Sequence, residues 1–219
     1  MTMQSTLARK SIATAGALLL SGLFSWQAHA AADAALYGPV APKGSAFVRL
    51  FNATGQEVSA NVGNTKLDEV GPQGSTDFSF LPGGSYSAQV GSQTVPVQLS
   101  PDSYYTLVNM PAGQPKLVNE PPFRNKQKAL LRVQNLTDTK LTLKTADGKT
   151  AVVEDVAPNS HGDREINPVK VNLALYDGSK KISDLKPVAL ARGEAVCLYV
   201  TGSAGKFAPV WVKRPAMAK

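Results

Sequence analysis

Ala46–Thr54 reads AFVRLFNAT, and Ala129–Thr137 reads ALLRVQNLT, at an offset of 83. Three further matches follow in the same order. Asp68–Pro72 (DEVGP) answers to Glu154–Pro158 (EDVAP) at an offset of 86, and Val90-Gly91-Ser92 answers to Asp177-Gly178-Ser179. Pro96–Leu99 (PVQL) then answers to Pro187–Leu190 (PVAL) at an offset of 91. An offset that grows stepwise is the mark of one module duplicated and then lengthened in its loops.

Each copy carries the period of β-strands. Tyr86, Ala88 and Val90 alternate with Ser87 and Gln89, and Val95, Val97 and Leu99 alternate across Thr94, Pro96 and Gln98. In the second copy Val169, Val171, Leu173 and Leu175 alternate with Lys170, Asn172 and Ala174. Period two puts one set of side chains on a buried face and the other toward water. Turn residues punctuate these runs at Asn52–Gly55, Gly71–Gly74, Pro82-Gly83-Gly84, Asp147-Gly148 and Asp177-Gly178. Past the first 30 residues, no window holds a helical period for ten residues or more. The pattern predicts an all-β protein of two tandem, small antiparallel β-sandwiches.

The segment boundaries follow from composition. Arg9 and Lys10 precede the uncharged run Ser11–Phe24, which ends in Ala28-His29-Ala30. That is the form of a secretory signal at 1–30, too short for the roughly 20 residues of a spanning helix and without a cysteine for lipid attachment. The mature chain is therefore expected to start at Ala31 and to reside in the periplasm, with no membrane span. Residues 31–118 form the expected first sandwich and 119–126 a linker stiffened by Pro121-Pro122. Residues 127–213 form the second sandwich and 214–219 a loose tail. Lys116-Leu117-Val118 is expected to pair as an edge strand.

At 43% hydrophobic the chain can bury a core, which excludes global disorder. One cysteine, Cys197, excludes an intramolecular disulfide and a Cys-ligated zinc site. Its setting, Ala195–Val200 (AVCLYV), predicts a buried structural thiol rather than a nucleophile.

Charge divides unevenly. Residues 31–118 hold 4 basic and 6 acidic residues, net −2; residues 119–219 hold 17 and 10, net +7. Arg124, Lys126 and Lys128 cluster at the entrance to the second module, and Lys180 and Lys181 follow the Asp177-Gly178 turn. These five are the candidate interaction residues. An exported basic module suggests an acidic partner and not nucleic acid; plain solubility is the other reading.

Chemistry is sparse. Ser160, His161 and Asp163 stand together in Pro158–Glu165 (PNSHGDRE), but a triad draws its members from separate segments. A polar loop between strands is the expected structure there. The segment aligns with Gln73–Asp77 of the first module, which has no histidine. Asp177-Gly178-Ser179 is a hairpin turn and not a G-x-S-x-G elbow, and no phosphate-binding glycine motif occurs. No catalytic, cofactor-binding or metal residue is assigned, and no cofactor is expected; Asp68, Glu69, Glu154 and Asp155 are isolated acidic pairs that give calcium no support. Asn52-Ala53-Thr54 and Asn135-Leu136-Thr137 match glycosylation acceptors, yet their repeated place after a strand marks them as turn residues. Tyr37, Tyr104, Tyr105 and Trp211 could stack on sugar, but most lie in apolar runs that read as core.

Asp33–Ala53 (DAALYGPVAPKGSAFVRLFNA), followed by Asp102–Val108 (DSYYTLV), resembles the alginate biosynthesis protein F family over the whole mature length. The resemblance implies a periplasmic protein required for adding O-acetyl groups to alginate, with SGNH-hydrolase-like acetylation proteins as partners. The family has no established catalytic residues to carry over. This chain also lacks the G-D-S block and the D-x-x-H those partners need. Three roles stay open: an adaptor for the acetylation proteins, a module holding the alginate polymer, and an acetyltransferase or esterase using Ser160 or His161.

Overall fold

A computed structural model describes residues 40–120, 122–203 and 205–214; the expected signal peptide, Tyr37, Pro121 and residues 215–219 lie outside them. Eight strands build the first module: β1 (Ser45–Asn52), β2 (Val58–Val62), β3 (Thr65–Val70), β4 (Ser79–Pro82), β5 (Gly84–Val90), β6 (Gln93–Leu99), β7 (Tyr104–Asn109) and β8 (Lys116–Asn119). Ten build the second: β9 (Ala129–Asn135), β10 (Leu141–Thr145), β11 (Ala151–Val156), β12 (Ser160–Ile166), β13 (Val169–Val171), β14 (Leu173–Asp177), β15 (Lys180–Asp184), β16 (Val188–Leu190), β17 (Ala195–Ser203) and β18 (Lys206–Arg214). Among the described residues there is no helix.

The duplication is visible in the pairing. The first module stacks a β4-β1-β7-β8 sheet on a β3-β2-β5-β6 sheet, and the second stacks β12-β9-β17-β18 on β11-β10-β14-β15. The β13–β16 ribbon exists only in the second copy and lies where the offset between the copies widens. Most pairs are antiparallel, as hairpin turns dictate. The central pair of one sheet in each module is parallel instead, β1 on β7 and β9 on β17. Hairpin signals report only neighbours in sequence, so these pairs give no local sign.

Each sandwich has its own core. Ala46, Val48 and Leu50 of β1 pack with Ala88, Val90 and Leu99 in the first. Ala129, Leu131 and Val133 of β9 pack with Leu141, Leu175 and Leu198 in the second. The alternate residues of the same strands are buried too. Phe51, Val108 and Val118 of the first module form a third cluster with Leu136, Cys197, Tyr199 and Val212 of the second. The Phe51 and Tyr199 rings meet across it with centroids 4.9 Å apart. Strands covered on both faces read as continuous apolar runs, and this explains AFVRLF and AVCLYV.

Two expectations need correction. Pro158–Glu165 is not a polar loop: Ser160–Ile166 is strand β12, paired residue for residue with β9. Its polarity reflects an edge position, and Gly162 lets it approach β11, since a Cβ there would stand 2.6 Å from Val153 Cγ1. Arg214, placed with the tail, is the last residue of β18 and is buried, because its guanidinium has an acidic partner inside the protein.

The Asn-x-Thr motifs are the same corner built twice. Asn52 Nδ2 donates to the carbonyls of Gln56 (2.6 Å), Val70 (2.9 Å) and Gly71 (3.3 Å). Asn135 Nδ2 donates to those of Thr139 (2.8 Å), Val156 (3.0 Å) and Ala157 (3.1 Å). Each Oδ1 accepts from the backbone N–H and the hydroxyl of the threonine two residues on. Both asparagines are fully buried, so neither amide is open to a glycan.

Candidate functional site

The polar centre of the molecule lies between the modules, on Glu120. Its Oε1 accepts from Arg49 Nη2 at 2.7 Å and, over short distances, from the hydroxyls of Thr106 and Tyr199. Arg49 Nε donates to Thr106 Oγ1 at 2.9 Å, and its Nη1 donates to the Lys213 carbonyl at 3.1 Å. Arg214 donates to the Glu120 carbonyl at 3.2 Å and approaches Oε2 at 3.8 Å. Arg49 covers the Phe78 ring and Arg214 the Tyr104 ring, at 4.7 and 5.0 Å. Arg132 grips Asp163 with two nitrogens at 2.6 and 2.5 Å and reaches the Asn119 carbonyl at 3.4 Å.

A charge taken from water this completely must be met by opposite charge and hydrogen bonds. Burial alone would raise the Glu120 carboxyl; the Arg49 charge and three hydrogen bonds outweigh it and hold the group below its usual range. Burial would lower Arg49, and Glu120 reverses that. Burial wins at Arg214, which falls below its ordinary value although Glu120 opposes the shift.

Sequence reasoning placed Glu120 in the linker and passed over these arginines. One signal was present: Arg49 and Arg132 occupy the same position of the repeat, each inside an apolar run, and both are buried.

The suspected triad comes apart on the strand. Successive residues of β12 face opposite sides, so Ser160 and His161 diverge. Asp163 shares a side with His161 but is bound to Arg132. Cys197 is buried, and burial, with the Glu120 charge adding, pushes its thiol well above the range of a nucleophile. Among the described residues, no three His, Cys, Asp or Glu side chains are placed to hold a metal ion. Tyr104 and Tyr105 are buried and Trp211 is half-buried, with its indole nitrogen donating to the Lys186 carbonyl at 3.0 Å.

The five basic candidates fall into two groups. Arg124, Lys126 and Lys128 line the segment entering β9, where Lys128 donates to Asn167 Oδ1 at 2.7 Å. Lys180 and Lys181 lie on β15 in the other sheet, with Lys181 paired to Asp184. The first group thus precedes β9 of one sheet, and the second lies on an edge strand of the sheet stacked on it.

Fold and interface together define an all-β protein of two duplicated sandwiches locked by a buried ionic centre. Residues 17–197 match the family model described as "Alginate O-acetyl transferase AlgF". The alginate biosynthesis protein AlgF of Pseudomonas aeruginosa is 73% identical over 186 residues, 85% of this chain and 86% of that protein. Its counterpart in Azotobacter vinelandii is 64% identical over 197 residues, 90% and 91% of the two chains. The solved C-terminal domain of the Pseudomonas aeruginosa protein is 84% identical, covering 41% of this chain and all of its own, with a TM-score of 0.38. The solved N-terminal domain is 62% identical, covering 37% and 100%, with a TM-score of 0.34. The chain belongs to the AlgF family of alginate biosynthesis proteins, whose work is tied to alginate O-acetylation.

Proposed function

We propose that this protein is a non-enzymatic periplasmic adaptor for alginate O-acetylation, binding the SGNH-hydrolase-like acetylation proteins. The family description speaks of a transferase, but acyl transfer needs a nucleophile, a base and an orienting group in mutual contact. The observation that carries the adaptor reading is the fate of Asp163. It is spent on Arg132, on a strand whose alternation parts Ser160 from His161. The duplicated sandwiches, welded by Glu120, supply a rigid body with several strand edges on which partners can assemble. The alternative of a polymer-binding module loses support with Tyr104 and Tyr105 in the core, since sugar stacking needs exposed rings.

Two titrations of the full-length mature chain separate these roles. An adaptor captures purified acetylation proteins and leaves alginate unbound at low salt. Capture should weaken as salt rises, because screening cuts the reach of charges to about 8 Å at physiological ionic strength. Changing Arg124, Lys126, Lys128, Lys180 and Lys181 to Glu should lower capture further. Tight, salt-dependent alginate binding would favour the polymer-binding role, and unchanged capture by the charge-reversed protein would mark the positive charge as a solubility device.

A further inference from the structure

We propose that the open edge of β12 is a docking site at which an extended, acidic segment of a partner protein adds as a further strand; this rests on the adaptor reading and deepens it. A sheet edge presents unpaired N–H and C=O groups, and proteins guard such edges with prolines, bulges, short strands or charge. The other edge strands of the four-stranded sheets are guarded or short. β6 carries Pro96, β18 carries Pro209, β3, β11 and β15 have bulged or irregular pairing, and β4 and β8 have four residues each. β12 has seven residues, no proline, and an unbroken register with β9 on its one paired side.

β12 does contain charges, which would ordinarily defend an edge. They are drawn aside. Asp163 lies on Arg132, Arg164 Nη1 donates to the Ala151 and Val152 carbonyls at 3.3 and 3.1 Å, and Glu165 accepts from Asn125 at 2.6 Å.

A groove opens at each end of this strand. The first, of about 490 Å³, runs along Lys116–Asn119 of β8 and the start of β12 and is also lined by Gln134 and Leu136. The Gln134 side-chain carbonyl on this groove's floor is buried without a hydrogen-bond partner among the described residues. The second groove, of about 320 Å³, lies at the end of β12 among Val152, Ile166, Val169 and Val171, with Lys128 and Arg164 on it. Val169 is 45% exposed, one of two large apolar side chains so open among the described residues. An added strand would place alternate side chains in these grooves, which is how strand addition acquires specificity. The cations Lys116 and Lys128, with the one lining carboxylate, Glu165, already accepting from Asn125, select an acidic segment with apolar residues between its charges.

The test is amide hydrogen exchange on the full-length mature chain, alone and with each purified acetylation protein. A Lys116→Glu/Lys128→Glu variant, altered only at exposed or half-exposed positions, is measured alongside. Bound partner should slow exchange in Ser160–Ile166 while β6 and β18 keep their rates, and the variant should bind at least about tenfold more weakly, the equivalent of 1.4 kcal/mol. Binding with protection confined to other strands overturns this site and leaves the adaptor role standing. Binding with β12 protected but unweakened in the variant overturns the acidic character of the segment. Absence of binding by every acetylation protein overturns the adaptor role and this site together.

Discussion

Replacing Glu120 by Ala should destabilise the protein by about 3–5 kcal/mol, the range for removing one partner of a buried ion pair. Arg49 and Arg214 would then face each other in the module interface without an anion, and the Thr106 and Tyr199 hydroxyls would lose their acceptor. Thermal unfolding should fall by roughly 6–20 °C for a chain of this size. Glu120→Gln keeps the shape and removes the charge, so it should lose most of the same stability. Acid should act likewise. The folded carboxyl sits below its ordinary value of 4.5, so the unfolded chain binds the proton more readily. The contribution is complete above that value and is lost as pH falls through the folded pKa. Glu120→Gln should remove that part of the acid sensitivity. Urea denaturation across pH checks both statements; a loss under about 1 kcal/mol would place the pair with exposed ion pairs, which contribute little.

Asn52→Ala and Asn135→Ala should each cost about 3 kcal/mol, and by similar amounts. Each side chain serves three backbone carbonyls and accepts from its threonine, and a buried polar group left unsatisfied costs about 1–3 kcal/mol. Substitution by Asp should do no better, since it sets a carboxylate against the same carbonyls. The near-equality is the informative part, because the two corners are copies of one design. A cost at one site with none at the other, read by urea titration, would show that the copies had diverged in what holds them.

The duplicated β-architecture was legible because its signals are local: alternation at Tyr86–Val90 and Val169–Leu175, and turn residues at Asp177-Gly178 that close the β14–β15 hairpin. The module interface was not. Glu120 sits in a proline- and charge-rich stretch, and its partners Arg49 and Arg214 lie 71 and 94 residues away in the chain. Only the fold brings them together. β12 read as a loop because an edge strand with an ion pair on one side has little apolar pattern to display. The basic candidates show the converse: a net charge summed along the sequence does not say where its members stand, and Lys128 precedes β9 while Lys181 lies on β15 of the other sheet.

We propose that this protein serves alginate O-acetylation without performing chemistry itself. The acetyl content per uronate of alginate, from cells producing the Ser160→Ala/His161→Ala protein at wild-type level, tests it most directly. The expected content equals that of the wild type. A fall to the level of cells lacking the protein, with the variant folded, abundant and still capturing the acetylation proteins, would contradict it.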